Sequence, residues 1–177
     1  ANPTAGPLTA TTVFTVTATA SNGCKGMKTV TVTISPAPAV ITGTPIACQV
    51  GTTTLTSTAG GTWASSNTTV ATVGTSGIVT GAAAGTSAIT YATGTGCVAL
   101  KTITVEPSPA PITGTNFACR GLTASLSNTS PGGTWSSSNT IIASIGSATG
   151  IMTGNSVGSL TITYKLATSC ISTTTAT

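Results

Sequence analysis

The chain has 177 residues and a net charge of +4, yet only 3% of its residues are charged, against about 25% in an ordinary soluble domain. With no His, no Asp and one acid, Glu106, it cannot build a Ser-His-Asp triad, a catalytic carboxylate pair, a His- or Asp-based metal site or a carboxylate cage for calcium. Its five cations, Lys25, Lys28, Lys101, Arg120 and Lys165, are scattered and aromatics make up 3%, so the clustered charge and stacking rings of a nucleic-acid groove are missing.

In chain order, the residues read as strands from the start. Phe14-Thr15-Val16-Thr17-Ala18 and Val30-Thr31-Val32-Thr33-Ile34 alternate apolar residues with Thr, which places the aliphatic side chains on one face and the hydroxyls on the other. Ser35-Pro36-Ala37-Pro38 follows as a short stiff linker, because proline restricts both itself and the residue before it. Ile103-Thr104-Val105 and Leu160-Thr161-Ile162-Thr163-Tyr164 repeat the strand alternation, and glycine-rich turns separate the strands. Thr and Ser number 44 and 20, over a third of the chain, and β-branched Thr favours strands. No segment has helical periodicity. No stretch reaches the ~20 apolar residues of a spanning helix, and no signal-peptide pattern opens the chain. It begins within a strand pattern, as an excerpt of something longer would.

The chain also repeats itself at offsets of 71 to 73 residues. Ser35-Pro36-Ala37-Pro38 returns as Ser108-Pro109-Ala110-Pro111, Gly60-Gly61-Thr62-Trp63 as Gly132-Gly133-Thr134-Trp135, and Ile89-Thr90-Tyr91 as Ile162-Thr163-Tyr164. The expected organisation is three pieces. Residues 1–35 are the C-terminal strands of a truncated module, 36–107 a complete module, and 108–177 a second module lacking the end of its last strand. Trp63 and Trp135, at equivalent positions, are expected in the core of each sandwich, since a module this small has little else to fill its centre. The competing reading is an exposed ring for sugar stacking.

These residues resemble the bacterial Ig-like group 2 (BIG2-type) modules. The resemblance lies in Val50-Gly51 before Thr-Thr-Thr-Leu-Thr, in Gly61-Thr62-Trp63-Ala64-Ser65-Ser66-Asn67 with Val70-Ala71-Thr72-Val73, and in Ser76-Gly77-Ile78-Val79-Thr80-Gly81 with Ala84-Gly85-Thr86. The second copy departs at Arg120-Gly121-Leu122 and at Ile142-Ala143-Ser144-Ile145. The resemblance implies an all-β fold of tandem Ig-like β-sandwiches arranged as a rod. The cysteines and Pro-rich linkers are similar to those of long Bacteroidota repeat proteins, which are exported to the cell surface for attachment and gliding.

Five cysteines, Cys24, Cys48, Cys97, Cys119 and Cys170, contain no CxxC and are too widely spaced for a zinc knuckle. Paired, they fit an oxidising extracellular setting. Cys48–Cys97 and Cys119–Cys170 within modules are the simplest pairs. The family pattern, however, implies that Cys48 and Cys97 lie at opposite ends of a sandwich, beyond the ~7 Å a disulfide spans. The favoured pairing joins modules, Cys48 to Cys170, with the within-module set as the alternative.

Other chemistry is thin. Cys48-Gln49 has no repeated counterpart, as Cys119-Arg120 shows, so a thioester is not expected. Glu106 lies beside Pro107 at a module junction, where a solvated linker charge is the plainer reading than an isopeptide acid. Asn67-Thr68-Thr69 and Asn128-Thr129-Ser130 fit a glycosylation sequon, a weak signal. Near-absence of charge leaves strand edges unguarded and copies without mutual repulsion, so lateral packing with other copies is expected. The functional expectation is a non-enzymatic structural repeat of an extracellular bacterial surface filament or adhesin shaft, with no cofactor and no metal. Its partners would be other copies of itself, and cell-surface glycan or protein through a domain outside this segment. The alternative is a glycan- or protein-binding Ig-like module, for which Tyr91, Tyr164 and Phe117 are the candidate exposed aromatics.

Overall fold

The computed structural model describes residues 6–58 and 60–177, and all of its regular structure is β. It begins with a hairpin of β1 (Thr12–Thr19) and β2 (Lys25–Val32), paired from Thr12↔Val32 to Thr19↔Lys25. Phe14, Val16, Val30 and Val32 share one face of this hairpin. Among the described residues no second sheet covers it, and Val16, Val30 and Val32 are exposed. Residues 1–5 of the expected 1–35 piece lie outside the described residues.

A first sandwich follows. Its strands are β3 (Ile46–Cys48), β4 (Thr52–Thr54), β5 (Gly61–Ser65), β6 (Ala71–Val73), β7 (Ile78–Gly81), β8 (Gly85–Thr93) and β9 (Val98–Glu106). They form the sheets β3-β9-β8-β5 and β4-β7-β6. A second set consists of β10 (Thr113–Gly114), β11 (Thr123–Ser127), β12 (Thr134–Ser137), β13 (Ala143–Ile145), β14 (Ile151–Gly154), β15 (Leu160–Lys165) and β16 (Ile171–Ala176). Its sheets run β10-β11-β14-β13 and β12-β15-β16, the four-and-three strand order of an immunoglobulin constant-type sandwich.

The two sandwiches differ in where the first strand's pairing is drawn. That edge strand splits. Its first part pairs with the smaller sheet through Thr42↔Thr56 in one copy and through β10 on β11 in the other. Its second part crosses over: β3 runs parallel to β9, from Ile46↔Thr104 to Cys48↔Glu106. In the second copy the same crossover is present in backbone bonds, Ala118 N–H to Thr177 O (3.1 Å) and Thr177 N–H to Asn116 O (3.0 Å). A last strand held on both sides leaves less free edge, which matters in a chain with so few edge charges.

Strand alternation builds both cores. Ser87, Ile89 and Tyr91 of β8 are buried, as are Leu160, Ile162 and Tyr164 of β15, while Thr90, Thr161 and Thr163 face outward. The first core gathers Ile41, Leu55, Val79, Ile89, Tyr91, Ile103 and Val105, and the second Leu126, Trp135, Met152, Leu160, Ile162 and Tyr164. The buried Ser87 hydroxyl is satisfied by Ser65 Oγ at 2.8 Å and Asn67 N–H at 3.1 Å. The second copy has Leu160 in its place and needs no such network.

In each sandwich the tryptophan sits across from a tyrosine, Trp63↔Tyr91 and Trp135↔Tyr164, with ring centroids 4.7 and 4.8 Å apart. Their rings are tilted by 54° and 56°, an arrangement the ring quadrupoles favour over a flat stack. Gly77 (φ +79°) and Gly150 (φ +69°) lie under the indoles. A Cβ there would meet Leu55 O or Leu126 O and press on the ring 3.2 or 3.1 Å away, so only glycine fits.

The tyrosine hydroxyls hold the loop before the tryptophan strand. Tyr164 Oη donates to Ser130 O at 2.5 Å and accepts from Gly133 N–H at 2.9 Å; Tyr91 does the same with Thr58 O and Gly61 N–H. Tyr164→Phe should therefore leave two partly buried backbone groups without partners and cost about 1–3 kcal/mol. Chemical denaturation of the variant checks this, and an unchanged midpoint would show the loop is held by other contacts.

Candidate functional site: the disulfide between the two sandwiches

Cys48 and Cys170 form a disulfide, with an S–S distance of 2.07 Å, a Cα–Cα distance of 5.6 Å and a sequence separation of 122 residues. It joins one sandwich to the other. The within-module alternative, Cys48–Cys97 with Cys119–Cys170, does not form, because both shared members are committed to each other. Cys97 lies in the turn just before β9 at one end of the first sandwich, and Cys48 closes β3 beside the last residue of β9 at the other end. Cys97 remains a free, half-buried thiol, with Sγ 3.7 Å from Ser35 O, while Cys24 and Cys119 are free and exposed.

Backbone geometry sets both halves of the bridge. On the first half, β3 ends at Cys48. Gln49 N–H reaches Glu106 O at 2.8 Å, Gly51 N–H turns back to Cys48 O at 2.8 Å, and Val50 N–H reaches Gly81 O at 2.8 Å. Ser108 Oγ donates to Gln49 O at 2.7 Å, so the segment that enters the second sandwich is tied to the residue beside the bridge. On the other half, the β15–β16 turn closes with Leu166 N–H to Cys170 O (2.9 Å) and Ser169 N–H to Leu166 O (3.0 Å). Cys170 is fully buried. Thr168 Oγ1, in this turn, is the one buried side-chain oxygen among the described residues without a partner.

Two non-glycine residues with positive φ flank the bridge, Val50 (65°) two residues after Cys48 and Ser169 (72°) one before Cys170. Their repeat counterparts are glycines of the same conformation, Gly121 (78°) for Val50, and Gly23 (85°) and Gly96 (84°) for Ser169. The left-handed conformation costs a residue with a Cβ roughly 1–2 kcal/mol. The turns that carry the disulfide therefore hold strain that the unbonded copies avoid.

The linkers are seated as well. Ser57 Oγ donates to Ala39 O at 2.9 Å, and Asn128 Nδ2 donates to Ala110 O at 2.5 Å while Ser130 Oγ accepts from Ala110 N–H at 2.9 Å. The Asn128 amide nitrogen that a glycan would occupy is thus already used by the linker. In the other sequon, Asn67 Oδ1 accepts from Thr69 N–H and its hydroxyl at 3.1 and 2.7 Å.

The expected core tryptophans part company. Trp135 is buried at 7% exposure, whereas Trp63 is only half-buried and packs on the edge of its core. Each borders a shallow cleft, about 240 Å³ beside Trp63 and about 320 Å³ beside Trp135. Pro131 walls the second cleft. Neither cleft is lined by a charged residue. Tyr91 and Tyr164, candidates for exposed aromatics, are instead buried at 3% and 5%, and only Phe117 is exposed. Sequence reading overlooked the tyrosine hydroxyl contacts and the parallel β3–β9 pairing. The repeated Gly-Gly-Thr-Trp with Ile-Thr-Tyr was the available signal for the first, since it fixes which tyrosine faces which loop.

Among the described residues no three His, Cys, Asp or Glu come together as metal ligands, and no helix is long and apolar enough to cross a membrane.

No family model matches the chain, and no curated protein matches it. Among solved structures, the chain is similar to an intimin mutant of EHEC O157:H7 at 32% identity, over 40% of this chain and 39% of that one, with a TM-score of 0.33. It is similar to the C-terminal 282-residue fragment of intimin in complex with the intimin-binding domain of its translocated receptor, Tir, at 16% identity, over 93% of this chain and 57% of that one, with a TM-score of 0.39. It is also similar to the S-layer protein SbsC at 14% identity, over 94% of this chain and 35% of that one, with a TM-score of 0.39. In all three, the match spans less than two thirds of the other protein's chain.

Proposed function

We propose that the chain is a structural, non-enzymatic segment of an extracellular bacterial surface filament or adhesin shaft. Residues 36–107 and 108–177 act as successive Ig-like modules of a rod, and 1–35 as the last strands of another. The observation that carries this reading is the Cys48–Cys170 bridge, which ties neighbouring sandwiches rather than stitching each internally. A catalytic or ligand-binding domain gains little from such a link, while a shaft under tension gains a second covalent path across its junction. The bridge also fits an oxidising compartment outside the cytosol. The anchored linkers work toward the same end, since a linker hydrogen-bonded to its own module cannot act as a loose hinge. Low charge supports lateral packing with other copies, and attachment itself belongs to a domain elsewhere in the assembly.

The test is surface display. An antibody raised to residues 36–177 should decorate intact cells that make the protein, and brief external proteolysis should abolish the signal. Staining that appears only after lysis would overturn the reading.

The glycan-binding alternative has one observation in its favour, the uncharged cleft beside the half-buried Trp63. It has less support, because Tyr91 in that cleft spends its hydroxyl on the protein's own loop.

A further inference from the structure

The larger sheet of the first sandwich, β3-β9-β8-β5, turns one face into its core and leaves the other open among the described residues. Strand parity puts Ala64 of β5, Ala88 and Ala92 of β8, and Val98 and Leu100 of β9 on that outer face, with threonines between them. Leu100 is 64% exposed and Val98 51%. No charged residue shares the face over this stretch. Lys101 turns the other way and donates to Ile41 O at 3.2 Å, and Glu106 reaches this parity only at the junction end, where β9 runs beside Cys48.

The second sandwich shows that the fold does not require an apolar outer face. Its pairing aligns Ser136, Thr161, Lys165 and Thr173 with Ala64, Ala88, Ala92 and Leu100. Each of the four apolar residues is replaced by a hydroxyl or an ammonium, on strands that pair in the same register. One copy of this sheet is thus surfaced for water and the other for contact, and a contiguous apolar patch marks an interaction surface.

We propose that the outer face of β3-β9-β8-β5 is the surface by which two copies of this chain pack side by side, sheet on sheet. The inference rests on the shaft reading above and names the surface by which copies meet. Charge selects a second copy as the occupant. The face offers a charged partner nothing to pair with, whereas two such faces bring no repulsion and bury no ion. Shape selects the arrangement. Val98 and Leu100 make a ridge along β9, and the alanines of β8 and β5 make a trough beside it. A two-fold axis along the strands, between β8 and β9, lays the ridge of each copy in the trough of the other. The strands of the two copies then run in the same direction, as two shafts rooted on one surface would. Four strands, nine residues long at the centre, span about 19 by 30 Å, or ~600 Å² per copy, at ~4.8 Å between strands and ~3.4 Å per residue. The pair together covers about 1,200 Å², the lower limit of a standard specific interface, so the pairing is reversible.

The experiment is sedimentation of the purified chain over a concentration series, with its free thiols blocked by iodoacetamide so that no new disulfide forms. Monomer should pass to dimer as concentration rises. Ala92→Lys, which copies the residue the second sandwich carries at that place, should weaken the dimer by about tenfold or more, because it buries an unpaired ammonium. Leu100→Lys should do the same, and Thr173→Lys, its equivalent on the second sandwich, should change nothing. Ala92→Glu mixed with Leu100→Lys should restore a dimer that neither variant forms alone, since a lysine on one ridge meets a glutamate in the other trough. Chain that stays monomeric throughout, a dimer that survives Ala92→Lys and Leu100→Lys, equal loss with Thr173→Lys, or a mixture that stays monomeric would overturn the inference. Surface staining reads the shaft role separately, so failure of one result is distinguishable from failure of the other.

Discussion

Pulled from its two ends under oxidising conditions, the chain should lengthen only by the residues outside the loop closed by Cys48 and Cys170. Reductant should then release roughly 400 Å of further extension, the reach of the 122-residue span at ~3.3–3.6 Å per residue. The bridge connects the turn after β3 directly to the β15–β16 turn, so tension crosses from Cys48 to Cys170 without passing through the core strands between them. Cys48→Ser should show the long release without reductant. Single-molecule force spectroscopy reads the contour length directly. An equal contour length in oxidised and reduced chains would sink the idea that the bridge shields both sandwiches from load.

The second large effect concerns Trp135. Its indole is buried against Tyr164 and under Gly150, and truncation of a buried tryptophan costs about 3–5 kcal/mol through lost burial and the cavity left behind. A unit of this size has a total stability of the same order, at ~0.05–0.15 kcal/mol per residue. Trp135→Ala should therefore unfold the second sandwich, while the first, which has its own core, keeps its protection. Hydrogen exchange should show protection lost across β11 to β16 and retained across β4 to β9. Trp63→Ala should cost less, because that side chain is only partly buried. Equal losses in the two variants would contradict the difference in burial.

Much of this fold can be read from the alternation of Thr with aliphatic residues, which marks β1, β2, β9 and β15 and, in β9 and β15, the face that is buried. The repeat of Gly-Gly-Thr-Trp and Ile-Thr-Tyr places the same pair of rings in both sandwiches. Alternation also fixed the tyrosines, for Ile162 and Tyr164 lie two residues apart on one face of β15. The same constraint puts Tyr164 in the core and not among exposed aromatics. The half-burial of Trp63 was out of reach, since it depends on how the neighbouring loop covers the ring. The parallel crossover of β3 was equally hidden, because a three-residue edge strand carries no period that names its partner. Val50 is the sharpest case. A β-branched residue argues for a strand, and only its alignment with Gly121 reveals a left-handed turn.

The cross-bridge has a further consequence for survival in surroundings rich in proteases. A cut in any exposed turn between residues 49 and 169 opens the backbone, but the two resulting pieces stay joined through Cys48 and Cys170. They also stay folded together through sheets that pair strands from both sides of the cut, as β8 pairs with both β5 and β9. A single nick there damages the chain without severing it. A shaft stitched in this way would part only where a break falls outside the stitch or where two failures coincide.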